Sequence, residues 1–384
     1  MADHFSEVSS QGWFSRIGNS IKGILVGAVL FLASFALLWW NEGRAVDTAK
    51  MLAEGKGAFV SVANDKVDPA NEGKLIHVNG KATTTETVSD PQFKVSAPAL
   101  KLKRLVEMYQ WKEETKRETK KKLGGGEETI TTYDYKKDWD DEAINSADFR
   151  HPEGHQNPGA LPFPSETYAA QKITLGAFTL SPSLAGSINA WEALPVTAPV
   201  QAGGEAPEGI RPAGGGYYKG ADPASPQVGD VRVTFKVVKP ADVSVVSKQA
   251  GESFVPYVAS NGKALEMLDL GLKSGEQMFA EAEAANATLT WILRFVGWLV
   301  MAIGISMVFS PLAVVADVIP FLGDMLGLGI AIFAGLVAAV LSLITIAIAW
   351  LFYRPLLGVA LIVVAVALIV WLKKSGHKKH VAAA

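Results

Sequence analysis

The chain of 384 residues contains no cysteine. Disulfides, thiolate metal sites and cysteine nucleophiles are thereby excluded, and thiols say nothing about redox compartment. It has no G-x-S-x-G and no P-loop. The glycines of "LGGGEE", beginning at Leu123, are not followed by the Lys-Ser/Thr of a phosphate loop and read as a hairpin turn. Formal net charge is −2, with no long block of like charge, so nucleic acid is not an expected partner. There is no internal repeat, and no constellation of side chains satisfies the requirements of an active site. No enzyme activity and no cofactor or metal is therefore expected.

Charge itself is scarce in two regions. Segments 21–40, 289–309, 325–350 and 356–372 are apolar, with Arg294 the one interruption of the second. Each is long enough to cross roughly 30 Å of hydrocarbon at about 1.5 Å per residue. The expected fold class is an integral membrane α+β protein. Four transmembrane helices would carry one large strand-rich extracytoplasmic domain, 41–288, inserted between helices 1 and 2. Segment 21–40 is too long for a signal h-region and no A-x-A follows it, so it reads as an uncleaved anchor. Segments 1–20 and 373–384 would be cytoplasmic, because Arg16 and Lys22 lie at the start of the first span and Lys373, Lys374, Lys378 and Lys379 follow the last. Residues 310–324 would form an inner interfacial loop. Trp39, Trp40, Trp291, Trp350 and Tyr353 would lie at the outer interface, and Trp13 and Trp371 at the inner one.

Within 5–20, a short interfacial helix capped by Ser9 or Ser10 is expected. The domain 41–288 reads as strands. "KLIHVNGKA" holds an Asn79-Gly80 turn signal, and about 100–140 forms a long charged hairpin around the three glycines. Val231, Val233, Phe235 and Val237 share one face of a half-buried strand. The stretch from Ala264 onward is helical in composition and leads into the second span.

The inner loop carries the sharpest question. Asp317 and Asp324 lie in "FSPLAVVADVIPFLGDMLGLG", Asp317 between Pro311 and Pro320 and Asp324 after them, with no basic residue in the stretch to pair with. A carboxylate in hydrocarbon costs about 2.5–3.5 kcal/mol on insertion scales. One reading keeps both acids at the interface, with Asp324 capping the third span and the prolines breaking helix. The other is a re-entrant element that binds a partner or cation. In the first span, Ser20, Gly23, Gly27 and Ser34 recur along one side, so Gly23, Gly27 and Ser34 are helix-packing candidates. They serve either a second copy of the chain or a contact between spans of the same chain. His151 and His155 in "HPEGH" would need a helix to share a metal, and Pro152 and Gly154 favour a turn instead. His377 and His380 lie in the lysine tail, where a solvated terminus or contact with anionic lipid is expected ahead of a metal site.

Several stretches together resemble the LUMA family, also called transmembrane protein 43. They are "NEGRA" at the end of the first span, "VEMYQWKEE", the loop "GHQNP" (Gly154, His155, Asn157 and Pro158 within it), "VIPFLGDMLGLGIA" and "LSLITIAIAWLFYRPLL". The resemblance covers nearly the whole chain. It implies four spans, a large lumenal or periplasmic domain, self-association, and a role in organising membrane protein complexes, without supplying a catalytic activity. In animals the family is associated with the endoplasmic reticulum and inner nuclear membrane. The run "SQGWFSRIGNSIKGILVG" is more similar to bacterial members, which implies an inner membrane with a periplasmic domain. The expected function is a non-enzymatic scaffold whose partners are membrane lipids, further copies of itself and other membrane proteins. The alternatives are an envelope-stress or lipid-state sensor, and a transport or enzymatic role at Asp317 and Asp324.

Overall fold

The computed structural model describes residues 3–196 and 207–354. The chain divides into two compact units. A β-rich unit gathers the described parts of Met1–Val8, Ala53–Glu118 and Ile130–Ala280, and a helical unit those of Ser9–Leu52, Thr119–Thr129 and Glu281–Ala384.

The β-rich unit is built on two sheets. In the eight-stranded sheet the main order is β1 (Asp3–Gln11), β4 (Glu127–Asp140), β3 (Lys101–Lys121), β7 (Val231–Val238), β6 (Gly216–Lys219) and β5 (Arg211–Ala213). The seven-stranded sheet centres on β2 (Leu75–Thr83) and β8 (Ala241–Ala250). Both pairings are antiparallel, with Val233 opposite Val106 and Val245 opposite Val78. Strict alternation puts Val231, Val233, Phe235 and Val237 into one core with Leu102, Val106, Met108, Val243 and Phe93. Each such side chain contributes about 1.5–3 kcal/mol on burial. The first half of β3 alternates buried and half-buried residues, whereas Glu114–Lys120 are exposed. The long charged hairpin is thus a strand pair whose root is core and whose far half is wetted.

Three local expectations are corrected. Residues 5–11 belong to β1, not to an interfacial helix, and the helix begins at Trp13, so Ser9 and Ser10 cap nothing. His4 on Asp134 and Ser6 facing Thr132 tie this strand to β4. Asn79-Gly80 is not a turn, because β2 runs through it. A Cβ on Gly80 would lie 2.1 Å from the Asn64 amide nitrogen, which donates to the Asn79 carbonyl at 2.8 Å. The glycine there makes room for a side chain. Finally, Ala264–Leu265 and Met267–Leu270 are short strands, and the helix starts only at Gly275, after Gly271 at φ +88°.

The helical unit holds α1 (Trp13–Ala58), α3 (Gly275–Ala316) and α4 (Pro320–Tyr353), while the short α2 (Pro182–Ser187) belongs to the β-rich unit. Among the described residues, three helices are long and apolar enough to cross a membrane. They contain the expected spans 21–40, 289–309 and 325–350. The expected fourth span, 356–372, and the tail 373–384 lie outside the described residues. Large apolar side chains such as Leu25, Leu32, Phe295, Leu336 and Leu343 point outward, as lipid-facing residues do. Leu38, Met301, Ile305, Ala334 and Ala338 pack inward.

Helices α1 and α3 are antiparallel and very close. A Cβ on Gly27 would lie 2.7 Å from the Gly304 carbonyl oxygen, and one on Gly304 2.7 Å from the Phe31 nitrogen. Gly23 meets only the tip of Met307, at 3.9 Å. Ser34 is fully buried and donates to the Phe31 carbonyl. Of the two uses open to this small-residue face, the structure shows the contact within one chain.

Candidate functional site

The two acids of the expected inner loop, Asp317 and Asp324, are not unpaired. Asp317 follows the last residue of α3 directly, and its amide still bonds back to Ala313 and Val314. The side chain is 2% exposed. Arg16 Nη2 lies 2.6 Å from one carboxylate oxygen and Lys121 Nζ 2.7 Å from the other. Lys121 also reaches Asp324 at 2.7 Å, and Arg16 reaches Glu127 at 3.0 Å. Three carboxylates thus surround two cations. Arg16 further donates to the Gly125 carbonyl, Trp13 Nε1 to the Val314 carbonyl, and the Gly124 amide to the Val318 carbonyl.

Glycine makes this packing feasible twice. Gly125, at φ +77°, lies where a Cβ would stand 2.3 Å from Trp13 Cδ1. Gly323 is closer still, since its Cβ would fall 1.7 Å from Asp317 Oδ1. Burial acts to lower the Lys121 pKa, but the hydrogen bonds and charges of Asp317 and Asp324 outweigh it and raise the ammonium above the ordinary lysine range.

These contacts correct three readings. Asp324 is not the cap of the third span. The helix starts at Pro320 with Ile319 as its cap residue and no side-chain cap bond. Proline fixes φ and suits the first helical position, so the helix begins ahead of Asp324. Pro311 does not break helix either, because α3 continues through it to Ala316. Lastly, 310–324 is not an extended loop: three residues, 317–319, join α3 and α4. Lys121 belongs to 41–288, which the sequence places on the face opposite that loop, yet it bonds both acids. A bilayer cannot separate directly bonded groups, so residues 119–129 lie at the same end of the helical unit as Arg16 and Asp317.

The other end carries a second cluster. Glu42 is 1% exposed and accepts both Arg294 Nε at 2.6 Å and Arg294 Nη2 at 2.9 Å. Trp350 Nε1 donates to the same carboxylate at 2.8 Å. The guanidinium also lies over the rings of Trp291 and Trp350. Nearby, Arg44 reaches Asn286 and Thr290, and Asn41 reaches the Thr290 carbonyl. The "NEGRA" stretch is therefore a set of polar hooks on α3 and α4. Arg16 and Glu42 are 26 positions apart in α1, or about 39 Å at 1.5 Å per residue. The two clusters bracket an apolar length that suits a bilayer.

The loop at Gly154–Pro158 is a turn, with Gly154 at φ +83° and the His155 amide on the Pro152 carbonyl. His155 is buried, stacks on Tyr135 at 3.9 Å and bonds the His151 carbonyl and Asp3. Burial first, then the hydrogen bond to Glu113, push the Tyr135 phenol up to about 12. Asn157 accepts from the Trp111 amide and donates to its carbonyl, as a paired strand would. Pro158 abuts Gly229. The loop fastens β3. Among the described residues, no group of three or more His, Asp or Glu side chains is placed to hold a metal ion.

Sequence reading missed Arg16, Lys121, Glu42 and Gly323 as site residues. Only the Glu42 pair carried a signal: an acid just past the first span and an arginine just inside the second fall at equal depth in antiparallel helices.

The family model for Transmembrane protein 43 matches residues 108–355. The chain is 36% identical to the Transmembrane protein 43 of Mus musculus over 380 residues, covering 93% of this chain and 94% of that protein. It is 36% identical to the Homo sapiens protein over 376 residues, 94% and 92% of the two chains. The Drosophila melanogaster homolog is 30% identical over 370 residues, 91% and 94%. No solved structure gives a significant match.

Proposed function

The chain belongs to the transmembrane protein 43 family, and from that premise we propose that it is a non-enzymatic membrane scaffold that self-associates and organises membrane protein complexes. One observation carries the reading. The eight-stranded sheet ends on one side in β5, three residues long and interrupted by Pro212. A short strand with a proline is a blunted edge. On the other side it ends in β1, nine residues long, mostly exposed, with neither proline nor lysine. Such an edge is a ready template for another strand, and a second copy of the chain offers one. The ion pairs at Asp317 and Asp324 support a structural role for these acids over transport.

Native mass spectrometry in nanodiscs tests the reading. The intact protein should form a discrete oligomer. Val8→Lys, at an exposed position of β1, should shift it toward monomer by charging the edge. A monomeric intact protein in several nanodisc compositions would overturn the scaffold.

We further place the Asp317 cluster at one membrane face and the Glu42 cluster at the other. The absence of cysteine makes every introduced thiol unique. Leu123→Cys, at an exposed tip position, and Ser10→Cys should react with a membrane-impermeant maleimide from the same side; opposite sides would refute the placement. The relatives named above are animal proteins, which lends no weight to a bacterial inner membrane. An endoplasmic-reticulum or nuclear-envelope location is the reading that they favour.

A further inference from the structure

A cavity of about 500 Å³ opens in the β-rich unit beside the start of β3. Ile173, Leu180, Pro182 and Phe254 give it apolar walls, and Lys101 lines it. Lys101 is 6% exposed. Its ammonium donates to the carbonyls of Gly186 at 2.8 Å and Ile188 at 2.9 Å, at the end of α2. An ammonium has three donors and a full charge. Two carbonyls occupy two donors and neutralise nothing. Among the described residues no carboxylate lies within ion-pair distance of it. The acids nearest the lining are engaged elsewhere, Glu266 with Ser181 and Ser247, and Glu86 with the Gln171 and Lys172 amides. Burial, with no opposing charge, holds the lysine below its usual range.

A buried cation without a counter-charge is costly, and an anion entering the cavity would remove that cost. A volume of this size lies within the range of small-molecule sites, and its apolar walls are interrupted by Gln171, Thr179, Ser181 and Ser253, with Lys101 the one charged group. We propose that this cavity binds a small amphipathic monoanion, a carboxylate bearing a short hydrocarbon tail, with its head on Lys101 and its tail against Ile173, Leu180 and Phe254. The bland role of Lys101, capping the carbonyls of α2, needs no ligand, and the experiment separates the two.

The full chain in nanodiscs is treated with an amine-modifying reagent, and modification of Lys101 is followed by peptide mass spectrometry in the presence of hexanoate, hexanol or hexylammonium. Hexanoate should slow modification about tenfold, the equivalent of 1.4 kcal/mol, whereas hexanol and hexylammonium leave it unchanged. Calorimetry should show hexanoate binding that Lys101→Met abolishes. Should that variant fail to fold, Ala185→Leu, which fills the cavity and leaves the ammonium in place, should abolish protection of Lys101. Equal protection by hexanol and hexanoate, or none by hexanoate at millimolar concentration, overturns the proposal.

Discussion

The two charged clusters of the helical unit solve the same problem with different redundancy. At one end, a single carboxylate, Glu42, serves Arg294 and Trp350. At the other, Asp317, Asp324 and Glu127 share Arg16 and Lys121. The first cluster is drawn wholly from helices and, among the described residues, gives Arg294 no second carboxylate. The second recruits a hairpin tip and keeps an acid for each cation even when one acid is lost. A buried ion pair is judged less by its own energy than by what remains when half of it is removed.

The largest effect should therefore come from Glu42→Leu. It strands Arg294 among apolar helices and should cost about 3–5 kcal/mol. Thermal unfolding in nanodiscs measures it, and adding Arg294→Met should recover most of the loss. If the double variant is no more stable than the single one, the pair is not the unit of stability.

Asp317→Asn should cost less, about 1–3 kcal/mol, because Arg16 keeps Glu127 and Lys121 keeps Asp324. A loss equal to that of Glu42→Leu would erase the distinction between the clusters. Gly323→Ala belongs in the same range, about 1–3 kcal/mol, since the new methyl overlaps the Asp317 carboxylate. Its cost should fall in an Asp317→Ser background, and strict additivity would show that the two do not meet.

Asp324→Asn should change stability by less than about 1 kcal/mol, because its pair with Lys121 is largely exposed. The smallest effect should appear in alkali. The folded state raises the Lys121 pKa. Its contribution is thus complete below the ordinary lysine value of about 10.4 and is lost as pH rises through the raised value. Lys121→Arg should flatten this alkaline limb, and a limb unchanged in that variant would assign it to another group.

Much of the architecture was legible because it rests on one-dimensional patterns. The three described spans lie where apolar length puts them, and the charged hairpin turns at its glycines. Alternation in "VRVTFKVV" names the buried face of its strand. Local misreadings arose where tertiary contact overrode a short signal. Gly80 is a glycine because Asn64 sits against it, and 3–11 is a strand because β4 offers it an edge.

What the sequence by itself determined is the membrane class, the richness in strands and the small-residue face at Gly27, since hydrophobic length and period are properties of consecutive residues. The tertiary structure alone decided what the conspicuous acids do. Asp317 meets a lysine 196 positions away and an arginine 301 positions away. The carboxylate announces in the chain that it needs a partner, but Coulomb attraction acts through space, and only the folded chain brings Lys121 and Arg16 within 3 Å of it.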